Sequence, residues 1–188
     1  MITAVNLTKR FDDVTALNEM NMHAPAGVVY GLVGSNGAGK TTLIRHLSGV
    51  YRQDSGEVWI GGQYVYENNA VKARTGLIPD ELYFYPQSST RDMAKFYSGI
   101  YPSFDWGRYC QLAWAFPIDE KRAIRRLSRG MQKQSAFWLA IACRFDVLLL
   151  DEPVDGLDPV MRRTVWSLLL EDVRQYGLTV VVSSHNLR

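Results

Sequence analysis

The sequence predicts an α/β fold built around a mainly parallel sheet, and three features carry that prediction. Residues 28–33 (VVYGLV) read as an apolar strand that runs into a glycine-rich turn and then into LIRHLSGVY, whose apolar residues recur at helical spacing. Residues 147–150 and 179–183 are apolar runs of the kind found in strands covered on both faces, as parallel strands are. Residues 80–144 change to helix-length segments rich in aromatic side chains, so a helical insertion is expected within the α/β core.

Taken in order, the strand at 28–33 is followed by shorter strand candidates at 58–60 and 76–78. The insertion carries Phe96, Tyr97, Tyr101, Phe104, Trp106, Tyr109, Trp114 and Phe116, with Pro102 and Pro117 as breaks. A chain of 188 residues is long enough for one α/β domain with a real core and too short for two of ordinary size. The expected division is a core at 1–79 and 144–188 around a helical subdomain at 80–143. Hydrophobic residues at 47% and charged residues at 21% fit a globular protein rather than a disordered or fibrous one. A formal net charge of +2 gives no general attraction to nucleic acid or to an anionic membrane, so any anion site must be local. The apolar runs VLLLDEPV and LTVVVSS are interrupted by charges or hydroxyls and fall short of the roughly 20 residues that span a bilayer. The segment MITAVNLTKRFDDV lacks the basic and apolar regions of a secretory signal. Cys110 and Cys143 read as small hydrophobes rather than a disulfide framework, which fits a reducing cytoplasm.

The chemistry begins at GSNGAGKTT. Gly34, Ser35, Asn36, Gly37, Ala38, Gly39, Lys40, Thr41 and Thr42 match the phosphate-loop pattern, in which backbone N–H groups wrap the phosphates and side chains would block the approach. Lys40 should reach the β and γ phosphates and the Thr41 hydroxyl should ligate Mg²⁺, while the positive end of the following helix adds to the attraction. In VLLLDEP, Asp151 and Glu152 stand at the carboxyl end of an apolar strand, where α/β sheets place ligands. Asp151 is the candidate that holds Mg²⁺ through its water shell, and Glu152 the one that orients and deprotonates an attacking water. Without the phosphate loop, the two acids would simply begin a solvated turn before Pro153.

LSRGMQ at 127–132 resembles the signature of ABC ATPases, whose usual form is LSGGQ, and here it opens a helix running through QKQSAFWLAIACR. Ser128 is also a natural helix N-cap. The resemblance extends in order over essentially the whole chain: phosphate loop, signature, VLLLDEP, GLDP at 156–159, and SSHN containing His185. It implies a P-loop NTPase fold with a RecA-like core and an N-terminal antiparallel β part. It implies ATP and Mg²⁺ as cofactors, with each ATP sandwiched between the phosphate loop of one chain and Ser128 and Gly130 of a second ABC ATPase domain. His185 matches the switch histidine that contacts the γ-phosphate and water, and makes a catalytic set with Glu152 and Lys40. Phe11 holds the position of the aromatic that stacks on adenine, a residue type that otherwise packs in a core. Asp158 with Pro159 reads both as part of the loop touching the partner and as the cap and first residue of a helix.

Two departures from the family pattern stand out. Asp80 in PDELYFYPQSSTRD takes the place of the usual glutamine, Gln87 being out of register. A carboxylate there could ligate Mg²⁺ or water, but its charge beside a triphosphate is unfavourable unless screened. Arg129 and Met131 replace the usual glycine and glutamine of the signature, while Ser128 and Gly130 are kept. With the YPSFDW segment, this combination is similar to ATPase subunits of small prokaryotic exporters. The implied partner is an integral membrane permease, docked near Asp80 to Tyr85 where Tyr83, Phe84 and Tyr85 either receive a helix or pack inside the insertion. The implied location is peripheral, at the cytoplasmic face of the membrane, with no nucleic acid as partner. The family continues beyond its switch histidine with further strands and a helix, so the C-terminal part of the domain is expected to lie outside these residues. The alternatives are an ABC ATPase serving translation or DNA maintenance, whose tandem domains or inserted coiled coil are not seen here, and a regulatory module that binds nucleotide without turnover.

Overall fold

A computed structural model of the chain describes residues 1–185. Strands β1 (Ile2–Phe11) and β2 (Val14–Ala24) lead into β3 (Val29–Val33), helix α1 (Lys40–Leu47), strands β4 (Ser55–Ile60) and β5 (Gln63–Tyr64), the short helix α2 (Asn69–Lys72) and strand β6 (Thr75–Ile78). Helices α3 (Thr90–Ile100), α4 (Trp106–Gln111) and α5 (Arg129–Ala142) follow, then strand β7 (Val147–Leu150), helix α6 (Pro159–Tyr176) and strand β8 (Thr179–Ser184).

The strands form two sheets: an antiparallel one in the order β2-β1-β4-β5 and a parallel one in the order β3-β8-β7-β6. The parallel sheet confirms the prediction from apolar runs, while β4 is a correction of place. It begins at Ser55, earlier than the sequence pattern indicates, and belongs to the antiparallel sheet. The expected antiparallel N-terminal part is a long hairpin. Its apolar alternation slips because the β1 to β2 register shifts repeatedly, with Asn6 and Glu19 in left-handed conformations at φ 47°.

Side-chain alternation along β7 explains the layering. Leu148 and Leu150 join a core shared with α5 and α6, whereas Val147 and Leu149 join one shared with α1 and the antiparallel sheet. All four are buried, and burying such a side chain contributes roughly 1.5–3 kcal/mol. By contrast, among the described residues β3 pairs with β8 alone, and its Val29 and Val33 are exposed.

Helix α5 is the hub. From Lys133 to Ala142 every residue is buried, because the sheet lies on one side and the other insertion helices on the other. The Trp138 ring stacks on Tyr109 of α4 at 4.9 Å, and its indole N–H donates to the Tyr109 carbonyl at 2.8 Å. Met93, Tyr109, Leu112 and Phe116 of the insertion share one continuous cluster with Leu148, Leu150 and Val180 of the sheet.

Candidate active site

Parallel strands all deliver their following loops to the same sheet edge. Residues Val33 and Ser184 are paired in register, as are Leu150 and Val182, and Ile78 and Leu150. The loop at Gly34, Asp80, Asp151 with Glu152, and His185 therefore all leave from that edge. The topology gathers residues separated by as much as four fifths of the chain.

Gly39 ends the phosphate loop as the N-cap of α1, at φ 84°. A side chain there would be excluded twice: the backbone is left-handed, and a Cβ would stand 2.5 Å from the Ala16 carbonyl oxygen. That contact also brings the hairpin against the loop. The Lys40 ammonium donates to the carbonyls of Gly34 at 2.6 Å and Ser35 at 3.0 Å, folding back over the loop it follows. It lies 4.0 Å from Glu152 Oε1. Thr41 is exposed at the start of α1, and Thr42 is half-buried beside it. Ser35, Asn36, Gly37 and Ala38 are exposed.

Asp151 is buried at 3% exposure, and its Oδ1 accepts a 2.6 Å hydrogen bond from the Ser183 hydroxyl of β8. The same Ser183 oxygen accepts from the Glu152 backbone N–H at 3.0 Å. Ser183 thus fixes both acids from the neighbouring strand. Glu152 adopts a left-handed φ of 45°, unusual for a residue with a side chain, which turns it away from the strand direction. Its Oε2 meets His185 Nδ1 at 3.0 Å. With Asp155, these two residues place ligand-type atoms within 4.8 Å of one another.

Asp80 is exposed, and its Oδ1 lies 3.7 Å from the ammonium of Lys133, which donates to the Glu152 carbonyl at 2.9 Å. Ser128 caps α5, accepting from the Met131 N–H at 3.3 Å. Gly130 has a reason to be glycine within its own chain: a Cβ would stand 2.7 Å from the Gly156 carbonyl oxygen. Among the described residues no hydrogen bond or ion pair joins Ser128 or Gly130 to the phosphate loop of the same chain. Asp158 caps α6 by accepting from the Val160 and Met161 N–H groups, with Pro159 at its start. Phe11 ends β1 partly exposed, edge-on to Tyr51 at 5.5 Å with the Lys9 ammonium 5.4 Å from its ring. Of the aromatic trio, Phe84 packs onto the core, Tyr83 is 91% exposed and Tyr85 stands edge-on to Phe96.

The family model described as ABC transporter matches residues 17–155. The chain belongs to the ABC transporter family. ABC transporter ATP-binding protein YtrB of Bacillus subtilis is 32% identical over 187 residues, an alignment covering 100% of this chain and 64% of YtrB. Bacitracin transport ATP-binding protein BcrA of Enterococcus faecalis is also 32% identical, over 100% of this chain and 62% of BcrA. The chain thus spans a little under two thirds of the length of these relatives. Among solved structures, an ATP-binding subunit of an ABC transporter superposes with a TM-score of 0.91 at 21% identity, covering 99% of this chain and 80% of that one. The dimeric MJ0796 cassette superposes at 0.88 with 22% identity, over 100% of this chain and 89% of that one. At these identities the two structures establish the ABC ATPase fold.

Several residues that hold the side chains of this site are not singled out by the sequence. Ser183 opens SSHN but at the end of an apolar strand, and Tyr51 sits in a plain loop. Lys133 reads as a surface lysine, although its i,i+4 spacing to Phe137 places it on a buried helical face.

Proposed function

We propose that this ABC transporter family chain is an ATPase subunit that binds Mg²⁺-ATP at the phosphate loop and hydrolyses it to power transport. The observation that carries the reading is Glu152, held by Ser183 through its backbone and facing Lys40 and His185 through its two oxygens. Lys40 and the loop N–H groups take the β and γ phosphates. Glu152 orients a water and accepts its proton as the water oxygen bonds to the γ-phosphorus; the bond to the bridging oxygen breaks and ADP leaves. His185, hydrogen-bonded to Glu152, orients water and γ-phosphate. Phe11 provides the face for adenine.

One oxygen of buried Asp151 is held by Ser183, and the Thr41 hydroxyl is exposed at the start of α1, so the donor set fits the hard, oxygen-seeking Mg²⁺. Thr41 and Asp151 would hold it, and it would supply positive charge against the phosphates. The exposure of Ser128 at the start of α5 supports a shared site, in which Ser128 and Gly130 close over the ATP of a second cassette. ATP then joins the two domains and hydrolysis releases them. A cleft lined by Pro79, Leu82, Tyr83, Tyr97, Tyr101 and Phe145 lies where the insertion meets β6, and is suited to a helix of a membrane permease. Among the described residues no helix is long and apolar enough to cross a membrane. The chain acts at the cytoplasmic face of the membrane through that partner. Relatives named for bacitracin transport and linearmycin resistance support an exporter.

Replacing Glu152 with Gln keeps size and hydrogen bonding but removes the base. ATP turnover should fall about a hundredfold or more, while nucleotide binding, followed by a fluorescent ATP analogue, should persist. Equal turnover in variant and parent would remove Glu152 from the base role.

A further inference from the structure

Lys133 is a buried lysine, 7% exposed, at the meeting point of three elements: the signature helix α5, the loop after β6 and the loop after β7. A buried ammonium is costly unless its protons and charge are answered. Here the Glu152 carbonyl accepts one proton at 2.9 Å, and Asp80 Oδ1 provides the counter-charge at 3.7 Å. We infer that Lys133 is a positioning residue for hydrolysis, pairing with Asp80 so that the acid in the glutamine place is tolerated while the Glu152 backbone is held in its catalytic orientation. The inference rests on Glu152 being the base.

Two consequences of the geometry support it. Glu152 occupies a left-handed conformation that a non-glycine residue keeps only when its surroundings hold it, and the Lys133 bond to its carbonyl is one of those holds, opposite the Ser183 bond to its N–H. Asp80 is a negative charge at the phosphate-binding edge, and a permanent positive partner lowers its repulsion of a triphosphate without calling on a metal. One ammonium serves both ends, so movement of the Asp80 loop is transmitted to Glu152 through a single side chain. A change at the cleft beside Tyr83 thereby reaches the attacking water.

The test is a double-mutant cycle on ATP turnover with Lys133→Met, which keeps the stem and removes the charge, and Asp80→Asn. Lys133→Met should lower kcat about tenfold or more, as expected for a displaced catalytic group. Adding Asp80→Asn to it should recover the part of that loss owed to the orphaned acid, and leave the part owed to the lost Glu152 contact. Lys133→Arg should retain more activity than Lys133→Met. A loss of packing alone would not be rescued by Asp80→Asn, so losses that simply multiply in the double variant overturn the inference. If Lys133→Met does not fold, Asp80→Asn alone decides: it leaves the ammonium half-answered and should lower kcat, and unchanged kinetics overturn the pairing. Glu152→Gln is run alongside, so that undiminished turnover there marks failure of the underlying assignment and not of the Lys133 link.

Discussion

Gly130 stands under two opposed pressures. As a glycine near the start of α5 it costs roughly 0.5–1 kcal/mol of helix stability relative to alanine. Yet a Cβ there would lie 2.7 Å from the Gly156 carbonyl, a backbone atom that cannot simply rotate aside. Overpacking of this kind typically costs 1–3 kcal/mol, so the clash outweighs the propensity gain. Gly130→Ala should therefore lower the thermal midpoint followed by circular dichroism. A raised midpoint would show that the 156–159 loop yields freely and that the glycine is kept for phosphate contact alone. The same residue teaches why sequence reading assigns a function and misses a constraint. The signature motif marks Gly130 as a ligand contact, whereas the approach of Gly156 becomes visible only once α5 and α6 are packed. Lys133 and Ser183 are the complementary case, polar residues in apolar surroundings whose partners lie 19 and 32 positions away. Nothing local announces those partners, even though Ser183 opens SSHN.

At the scale of elements, strand-loop-helix order and the apolar runs of β7 and β8 are legible because each is a local pattern. The β1–β2 hairpin is legible only through family resemblance, since its left-handed residues break the alternation on which strand reading depends. Helix α1 carries a further constraint that its apolar spacing hides: His46 is buried on the face that packs against the hairpin. Its Nδ1–H donates to the Thr42 carbonyl at 2.7 Å, and its Nε2 is buried without a partner. Burial pushes its pKa below the ordinary 6.5, outweighing the upward pull of the Thr42 carbonyl. On acidification the unfolded chain takes up this proton first. The neutral His46 therefore supports the fold fully above about pH 6.5, and that support is lost as pH falls towards the lower folded value. The loss is at most about 1.4 kcal/mol per pH unit. Thermal melts at about pH 7.5 and about pH 5.5 should show a smaller acid-induced drop in His46→Gln than in the parent. An equal drop in both would place the acid sensitivity elsewhere.

For the molecule as a whole, the question is whether the insertion is an independent body. Its helices lack a private core: α5 contributes to a cluster that runs unbroken into β7 and β8. A polar clasp reinforces the join. Asp172 of α6, 5% exposed, accepts from Arg108 of α4 at 3.0 Å and from Arg144, after α5, at 3.1 Å. Arg144 also lies 3.6 Å from Asp105 and over the Tyr176 ring at 4.0 Å. Burial raises the Asp172 pKa and the two guanidiniums oppose that rise, so the carboxylate depends on both partners to remain charged at low cost. Removing it takes the most buried carboxylate from two part-buried cations and leaves Arg108 with Glu171 and Arg144 with Asp105, each at 3.6 Å, so the loss is smaller than the about 3–5 kcal/mol of a buried charge left without any partner. Asp172→Ala should consequently lower stability by about 1–3 kcal/mol, and the shared core dictates how the loss is seen. Tryptophan fluorescence, dominated by Trp106, Trp114 and Trp138 of the insertion with Trp59 and Trp166 outside it, should report one transition that coincides with far-ultraviolet circular dichroism, in parent and variant alike. Two separated transitions in the variant would mean that the clasp, rather than the core through α5, makes insertion and sheet a single cooperative unit.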